Sequence, residues 1–368
     1  MLDLTRVLAG PVCTMMLGDL GADVIKIERP EGGDDTRGWG PPFDGRGESA
    51  YYLSVNRNKW SVAADLDREG DRELIVALAG DADAVVENFR PGALERRGLG
   101  AEALLARFPD LIWCTITGFG DGSSRAGYDF IVQAEQGWMA ITGSADGEPT
   151  KVGVALADVL AGKDAAIATV AALAGRARGA LPPAGRRIVI SLARSATAAL
   201  VNVAQNVLVS GEDARRWGNA HPNLVPYQLF EAADRPLAVG VGTDAQWRAC
   251  ASVLGLGELA ADPTLATNAG RVAQRSRVVD ALAARLAGGT AEAWAARLGA
   301  VGVPAGVVRS VREALASVDA SPLTGVAPSV PGAVRYPPPR LDEHGAAIRA
   351  QGWAAFRSAP PPGPHAQE

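Results

Sequence analysis

The sequence of 368 residues has very few of the side chains that build metal, redox or disulfide sites. Its three cysteines and three histidines lie far apart, at Cys13, Cys114, Cys250, His221, His344 and His365. These spacings exclude a CxxC zinc or redox motif and argue against a disulfide scaffold or a His-rich metal site. We therefore expect a protein without a metal ion, in a reducing compartment, with the cytoplasm as the default.

Basic charge and long apolar runs are scarce as well. The formal net charge is -5, so the sequence lacks the basic surplus that is typical of nucleic-acid-binding proteins. No apolar run approaches the roughly 18 residues of a membrane span. Asp3 and Arg6 interrupt the stretch in which a secretion signal would be apolar. We expect neither nucleic acid nor a membrane among the partners.

The composition is otherwise that of a globular protein, and the length predicts two domains. Short apolar runs alternate with helical patterns, which predicts a Rossmann-like α/β domain with a parallel sheet and helices on both faces. Ligands of such sheets bind at the carboxyl ends of the strands. The predicted strands are 4–9, 22–28, 60–66, 84–88, 111–118 and 187–192, and the predicted helices are 12–20, 69–79, 91–97, 101–108, 128–139, 158–176 and 193–209.

The pattern changes after residue 214 and predicts a smaller α+β domain over 215–302. A hairpin of strands 227–232 and 236–241 comes first, and helices 244–254, 271–286 and 291–298 follow. A strand at 304–309 and a helix at 311–318 then return the chain to the large domain, which is predicted to comprise 1–214 and 303–357. The tail 358–368, rich in proline and polar residues, is predicted to be disordered.

The first βαβ unit contains one feature of a dinucleotide site and lacks another. Glu28 ends a strand about twenty residues after a turn, but the turn at Gly10 has no GxGxxG fingerprint, which makes NAD binding the weaker interpretation. Arg29 follows at the same strand end, where an arginine can meet a sugar phosphate. A surface ion pair is an equally good interpretation of Arg29.

Two further positions carry polar groups that suit a ligand. Asn88 and Phe89 follow a strand and can hold a purine, Asn88 by a hydrogen bond and Phe89 by its ring face, and Arg96 can reach a phosphate. The alternative interpretation of this segment is a tight turn before an exposed basic helix end.

Asp158 follows an apolar stretch at the start of an alanine-rich helix. It is either an ordinary N-cap or a carboxylate that the helix N-terminus keeps charged, while removal from bulk water strengthens it as a nucleophile.

Taken together, these segments resemble the class III CoA-transferase family, which includes formyl-CoA transferase and carnitine CoA-transferase and belongs to the same superfamily as the 2-methylacyl-CoA racemases. The matching stretches run in family order along nearly the whole chain. They include VLAGPVCTMMLGDLGADVIKIERPEGGDDTRGWG (7–40), NRNKWSVAADL (56–66), VVENFRPGALERRGLG (85–100), GYDFIVQAEQGWMAITG (127–143), GVALADVLAGKDAAIATVAAL (153–173) and GNAHPNLVPYQLF (218–230).

This resemblance implies a large Rossmann-like domain built from both chain ends, a small domain between them, and two subunits interlocked as a homodimer. It implies Asp158 as the nucleophile, which exchanges CoA between an acyl-CoA and a carboxylic acid through an aspartyl-CoA thioester. CoA is the substrate and no other cofactor is implied. The implied CoA-binding residues are Leu8, Ala9, Arg29, Ala64, Asn88, Phe89, Arg90, Arg96, Arg125, Gly127 and Tyr128.

Some departures from the family pattern bear on the reaction. Leu8 stands where formyl-CoA transferase has glutamine, and residues 218–242 contain no run of consecutive glycines, which argues against oxalate and formate as substrates. Tyr128 stands where the racemases have a histidine base, and a phenol with a pKa near 10 is a poor base at neutral pH. A transferase is therefore favoured over a racemase, and a catalytically silent CoA-binding protein is the third alternative. Family members usually have several more residues before the first strand, so we expect the natural start to lie upstream.

Overall fold

The computed structural model describes residues 1–358, which form two compact units. The first unit contains residues 1–138, 151–212 and those from 318 onward, and the second contains 139–150 and 213–317. Ser358 ends the last described helix, Ala355–Ser358. The rest of the predicted disordered tail, 359–368, lies outside the described residues. None of the described helices is long and apolar enough to cross a membrane.

The first unit is built on a six-stranded parallel sheet, which confirms the predicted α/β class. Its strand order is β3-β2-β1-β4-β5-β6, so the order reverses between the neighbours β1 and β4. Ligands of open α/β sheets bind at such a reversal, beyond the carboxyl ends of the strands. The strands are β1 (Leu2–Leu4), β2 (Ile25–Glu28), β3 (Trp60–Ala63), β4 (Ala84–Glu87), β5 (Ile112–Thr117) and β6 (Arg187–Ser191).

Helices cover both faces of this sheet. The helices of this unit are α1 (Ala9–Asp19), α2 (Ala50–Leu53), α3 (Glu69–Gly80), α4 (Ala101–Arg107), α5 (Asp129–Glu135), α7 (Leu156–Ala177), α8 (Leu192–Ala198) and α9 (Val201–Ser210), with Gly345–Gln351 and Ala355–Ser358 near the chain end. Helix α6 (Trp138–Ile141) begins at Trp138, and its other residues belong to the second unit. The predicted helices 128–139 and 193–209 are each divided in two, and Gly137, with a φ of 84°, separates α5 from α6. The predicted helix 91–97 is wrong, because only the 3-10 turn Glu95–Arg97 forms there.

The first strand lies earlier in the chain than the predicted 4–9, because it spans Leu2–Leu4 and shares only Leu4 with the prediction. It ends at Leu4 instead of Ala9, because the Asp3 carboxylate accepts hydrogen bonds from the backbone N–H and the hydroxyl of Thr5, at 2.8 and 2.6 Å. This contact turns the chain away from the sheet. Residues 5–8 are therefore a loop at the carboxyl edge, beside the loop that follows β4.

Helices α1 and α7 pack tightly on one face of the sheet, and Ala9, Cys13, Ala161 and Ala165 lie in their shared core. Gly162 permits this approach, because a Cβ atom at that position would lie 2.5 Å from the carbonyl oxygen of Ala9. The small side chains of α7 therefore place its first turn beside the start of α1.

The second unit contains the predicted hairpin, with β7 (Tyr227–Glu231) antiparallel to β8 (Pro236–Gly240). Strand β9 (Ala305–Val307) pairs with β8 and lies in the second unit, so the expectation that the strand at 304–309 returns the chain to the large domain is wrong. The predicted helix 271–286 divides at Gln274. The helices are α10 (Asp244–Val253), α11 (Gly257–Ala261), α12 (Asn268–Ala273), α13 (Arg275–Leu286), α14 (Ala291–Gly299) and α15 (Val311–Leu315), and the short strands Ala320–Ser321 and Gly325–Val326 form a separate pair in the first unit.

Candidate active site

The loops at the carboxyl ends of β1, β4 and β5 enclose a cleft of about 450 Å³ at the reversal of strand order. Nine of the twelve predicted site residues line this cleft, which we call the main cleft. They are Leu8, Ala9, Asn88, Phe89, Arg90, Arg125, Gly127, Tyr128 and Asp158. Side chains distant in the sequence thus meet where the topology predicts a ligand site.

The remaining three predicted residues lie elsewhere. Arg29 and Ala64 line a second cleft of about 240 Å³, which shares Arg6 and Phe89 with the main cleft. Arg96 lines neither of these two clefts and is exposed on the 3-10 turn. The next residue, Arg97, lines the second cleft and pairs with Asp67 at 2.9 Å, a contact that the sequence alone did not indicate.

Asp158 is the third residue of α7 and not its N-cap, so the interpretation of Asp158 as an ordinary cap is wrong. The N-terminus of α7 is instead capped by Asp129, whose Oδ1 accepts a hydrogen bond from the backbone N–H of Ala157 at 2.8 Å. The side chain of Asp158 forms no hydrogen bond and no ion pair with any residue in 1–358. Its carboxylate therefore faces the main cleft without a protein partner.

The electrostatic setting of Asp158 also differs from the expectation. Burial, followed by the negative charge of Asp129, raises the pKa of Asp158 to about 7. The pKa is thus shifted in the direction opposite to the one that a helix N-terminus alone favours. Near neutral pH both the protonated and the ionised forms of Asp158 are therefore populated, and the ionised form has little solvation to lose on reaction with an electrophile.

Asp129 is a functional candidate that the sequence analysis missed. Its Oδ2 accepts a hydrogen bond from Gln133 Nε2 at 2.7 Å, and Gln133 in turn accepts one from the backbone N–H of Val152. These contacts connect α5 to the segment before α7. In the sequence, an aspartate that follows Gly127-Tyr128 and opens a helix indicates at most a cap of its own helix α5. Its contact with α7 arises from tertiary packing and has no local sequence signal.

Asn88 joins the loops that follow β1 and β4. Its Oδ1 accepts a hydrogen bond from the backbone N–H of Arg6 at 2.9 Å, and its Nδ2 donates one to the carbonyl of Arg6 at 2.8 Å. The next residue, Val7, has a φ of 70°, which is unusual for a β-branched side chain. The geometry thus shows Asn88 holding a strained loop, with its amide already used by the protein backbone.

Buried charges lie beneath this loop. Lys26 Nζ donates to the carbonyl of Thr5 at 2.8 Å and to Asp34 Oδ2 at 3.0 Å, and both charged side chains are inaccessible to solvent. Glu28 forms a bidentate pair with Arg37, at 2.8 Å for both contacts. The carboxylate of Glu28 is therefore engaged inside the protein, which weakens its interpretation as the ribose-binding acid of an NAD site.

The loop between β5 and α5 forms another wall of the main cleft. Gly118 and Gly127 bring the two ends of this loop into backbone contact. Neither position has room for a side chain, because a Cβ atom on either one would lie less than 2.5 Å from the Cα of the other. The Arg125 guanidinium lies over the Phe119 ring, 4.0 Å from its centroid, and pairs with Glu135. Tyr128 is largely exposed at the N-terminal end of α5.

No group of three or more His, Cys, Asp or Glu side chains within residues 1–358 is arranged to hold a metal ion. Comparisons with known proteins identify the family of the chain. The model of "CoA-transferase family III" matches residues 1–362. Succinyl-CoA:glutarate CoA-transferase of Mus musculus is 42% identical, over 93% of this chain and 83% of its own length.

Two further similarities cover almost the whole length of both proteins. Succinate--glutarate CoA-transferase of Agrobacterium fabrum is 40% identical, over 98% of this chain and 96% of its own. The crystal structure of a CAIB/BAIF family protein from Brucella suis is 41% identical and superimposes with a TM-score of 0.81, covering 95% of this chain and 97% of the other.

The fold and these similarities define an enzyme, a CoA-transferase. The chain belongs to CoA-transferase family III, of the CaiB/BaiF type, which confirms the resemblance found in the sequence.

Proposed function

We propose that this enzyme moves CoA from an acyl-CoA donor to a carboxylic acid through a covalent thioester on Asp158. The observation that carries the proposal is the carboxylate of Asp158, which faces the main cleft from the first turn of α7 and has no partner among the described side chains. A group in this setting is poised for attack on an electrophile, because burial and a neighbouring acid have already raised its free energy when ionised.

The proposed reaction proceeds through acyl exchange at that carboxylate. Asp158 attacks the thioester carbonyl of the donor, and the C–S bond breaks to give a mixed anhydride and CoA thiolate. The thiolate attacks the aspartyl carbonyl, which releases the donor acid and leaves an aspartyl-CoA thioester. The acceptor carboxylate displaces CoA thiolate as a second anhydride forms, and the thiolate then attacks the acceptor acyl carbon to release the new acyl-CoA and regenerate Asp158.

This chemistry has two physical requirements at the site. N–H donors must stabilise each developing oxyanion, and water must be excluded because it would hydrolyse the anhydride. Binding of the distant nucleotide part of CoA supplies energy that holds the thioester in place.

We propose that CoA lies along both clefts. Leu8, Ala9 and Tyr128 border the main cleft together with Asp158, which suits the pantetheine arm and its thiol. Arg29 and Ala64 line the second cleft, which suits the nucleotide. Phe89 lines both clefts, so a single extended ligand can pass along its ring.

For the substrates, we propose a succinyl-CoA donor and a dicarboxylic acceptor such as glutarate. This proposal is supported by the names of the relatives at 40–42% identity. The racemase alternative predicts exchange of the C2 proton of a 2-methylacyl-CoA for deuterium without any acceptor acid. Transfer assays with a panel of carboxylic acids, beside that exchange assay, separate the two activities.

We also propose that the enzyme is a homodimer. Helix α9 supports this, because none of its residues is buried and Val201, Leu208 and Val209 are 69%, 77% and 76% exposed. An apolar helix face of this kind requires a partner surface.

The central experiment replaces Asp158 with asparagine or alanine. We expect both variants to lose CoA transfer while they keep the fold. Mass spectrometry of the wild-type enzyme mixed with acyl-CoA should detect a CoA adduct on the peptide that contains Asp158. Asp164→Asn, on the same helix, is the matched control and should retain transfer. Substantial transfer by Asp158→Ala would overturn the mechanism.

A further inference from the structure

Arg6 occupies the boundary between the two clefts and is absent from the set of site residues predicted from the sequence. Its side chain lines both clefts, and its guanidinium carbon lies 5.2 Å from the centroid of the Phe89 ring. The two hydrogen bonds that its backbone forms with the Asn88 side chain hold that backbone in place. Arg6 Nε is buried without a hydrogen-bond partner within residues 1–358. The guanidinium is thus held in place at the shared wall.

A single carboxylate connects Arg6 to Arg29. Asp35 Oδ1 accepts a hydrogen bond from Arg29 Nη2 at 2.6 Å, and Asp35 Oδ2 lies 3.6 Å from Arg6 Nη1. All three side chains remain accessible, with exposed fractions of 42% for Arg6, 54% for Arg29 and 36% for Asp35. The arrangement is two cations and one anion, and it carries a net positive charge that a ligand can reach.

Arg6, Arg29 and Asp35 lie where the middle of a CoA molecule would lie, if the ligand binds as proposed above. With the thiol at Asp158 and the nucleotide against Arg29 and Ala64, the intervening diphosphate must pass the residues that both clefts share. We propose that Arg6 and Arg29 together bind the diphosphate of CoA, and that Asp35 holds the two arginines and competes with the phosphates for them. This inference rests on the proposed CoA site.

The opposite effects expected at Arg6 and Asp35 follow from their charges. Guanidinium groups bind phosphate oxygens through strong, charge-assisted hydrogen bonds, so loss of Arg6 should weaken binding. The Asp35 carboxylate repels a phosphate that approaches the same guanidiniums, so loss of its charge should strengthen binding. A gain in affinity is a sensitive readout, because damage to the fold does not produce it.

The experiment measures dissociation constants by titration calorimetry with CoA, dephospho-CoA and pantetheine. We expect Arg6→Gln to weaken CoA and dephospho-CoA about tenfold or more and to leave pantetheine, which has no phosphate, unchanged. Asp35→Asn should tighten CoA and dephospho-CoA about threefold to tenfold, with a steeper dependence on salt. The controls are Arg176→Gln and Asp83→Asn, which break an ion pair at the opposite edge of the sheet and should change none of these constants.

The outcomes separate this inference from the proposed function. Failure of the wild-type enzyme to bind CoA would overturn the proposed CoA site itself. Equal affinities of wild-type enzyme and Arg6→Gln for CoA would overturn only the role of Arg6. A loss confined to CoA and absent for dephospho-CoA would assign Arg6 to the 3′-phosphate and refute the diphosphate assignment. Weaker binding by Asp35→Asn would refute the competition.

Discussion

The carboxylate of Asp129 caps the helix that carries Asp158, and the same negative charge helps to raise the pKa of Asp158 to about 7. One side chain therefore stabilises the start of α7 and disfavours a negative charge on Asp158. Burial is the larger of the two causes of the shift, so Asp129 adds to a rise in the pKa that burial has already produced.

The pH dependence of the reaction should report this pKa. In the proposed mechanism only ionised Asp158 attacks the thioester, so kcat/KM for acyl-CoA should rise as the pH increases through about 7 and level off above it. Asp129→Asn removes one of the two causes and should move this acid limb to lower pH. Glu102→Gln, which removes a charge from exposed α4, is the control and should leave the limb in place. A limb that stays at the same pH in Asp129→Asn would contradict the assignment.

Stability should depend on pH for the same reason. The pKa of Asp158 is higher in the folded than in the unfolded chain, so its ionisation destabilises the fold, with no cost below about pH 3.8 and the full cost above about pH 7. We expect Asp158→Asn to be more stable than wild type by about 1–2 kcal/mol at pH 8, after discounting for solvent screening, and by much less at pH 5. Thermal unfolding at both pH values tests this, with a shift of about 2–4 °C expected at pH 8. An equal shift at pH 5 would rule out ionisation as its cause.

The positions of most site residues could be predicted from the sequence, but their electrostatics could not. Alternating apolar and helical patterns placed Asn88, Arg29 and Asp158 after strands or at a helix start, which is enough to bring them to one edge of a parallel sheet. The pKa of Asp158 depends on its burial beside α1 and on Asp129, which is 29 positions away in the chain. Such contacts arise only from tertiary packing.

The exact ends of the helices and strands could not be predicted from the sequence either. The end of β1 at Leu4 depends on a side-chain contact between Asp3 and Thr5, and local propensity favoured a longer strand. The predicted helix at 91–97 does not form, and the 3-10 turn at Glu95–Arg97 leaves Arg96 outside both clefts and places Arg97 in the second cleft. Boundaries of this kind are the least reliable part of a prediction from sequence.

The clamp formed by Asn88 should control substrate affinity. Asn88→Ala removes two hydrogen bonds that hold the backbone of Arg6 beside Val7, so the loop between β1 and α1 should become mobile. We expect about 1–3 kcal/mol less stability and an increase in the KM for acyl-CoA that exceeds any fall in kcat. Steady-state kinetics and denaturant unfolding measure the two effects. Asn219→Ala, in an exposed turn of the second unit, should show neither, and an unchanged KM in Asn88→Ala would refute the clamp.

The apolar face of α9 should be required for dimer formation. Leu208 is 77% exposed on a helix with no charged residue, so an aspartate there would place a charge inside the proposed subunit contact. We expect Leu208→Asp to reduce the molar mass measured by light scattering at micromolar concentration from that of a dimer toward that of a monomer. Val311→Asp, at an equally exposed position of α15, is the matched control and should remain a dimer. A dimer that persists unchanged in Leu208→Asp would move the subunit contact away from α9, since an uncompensated buried charge strongly destabilises an interface.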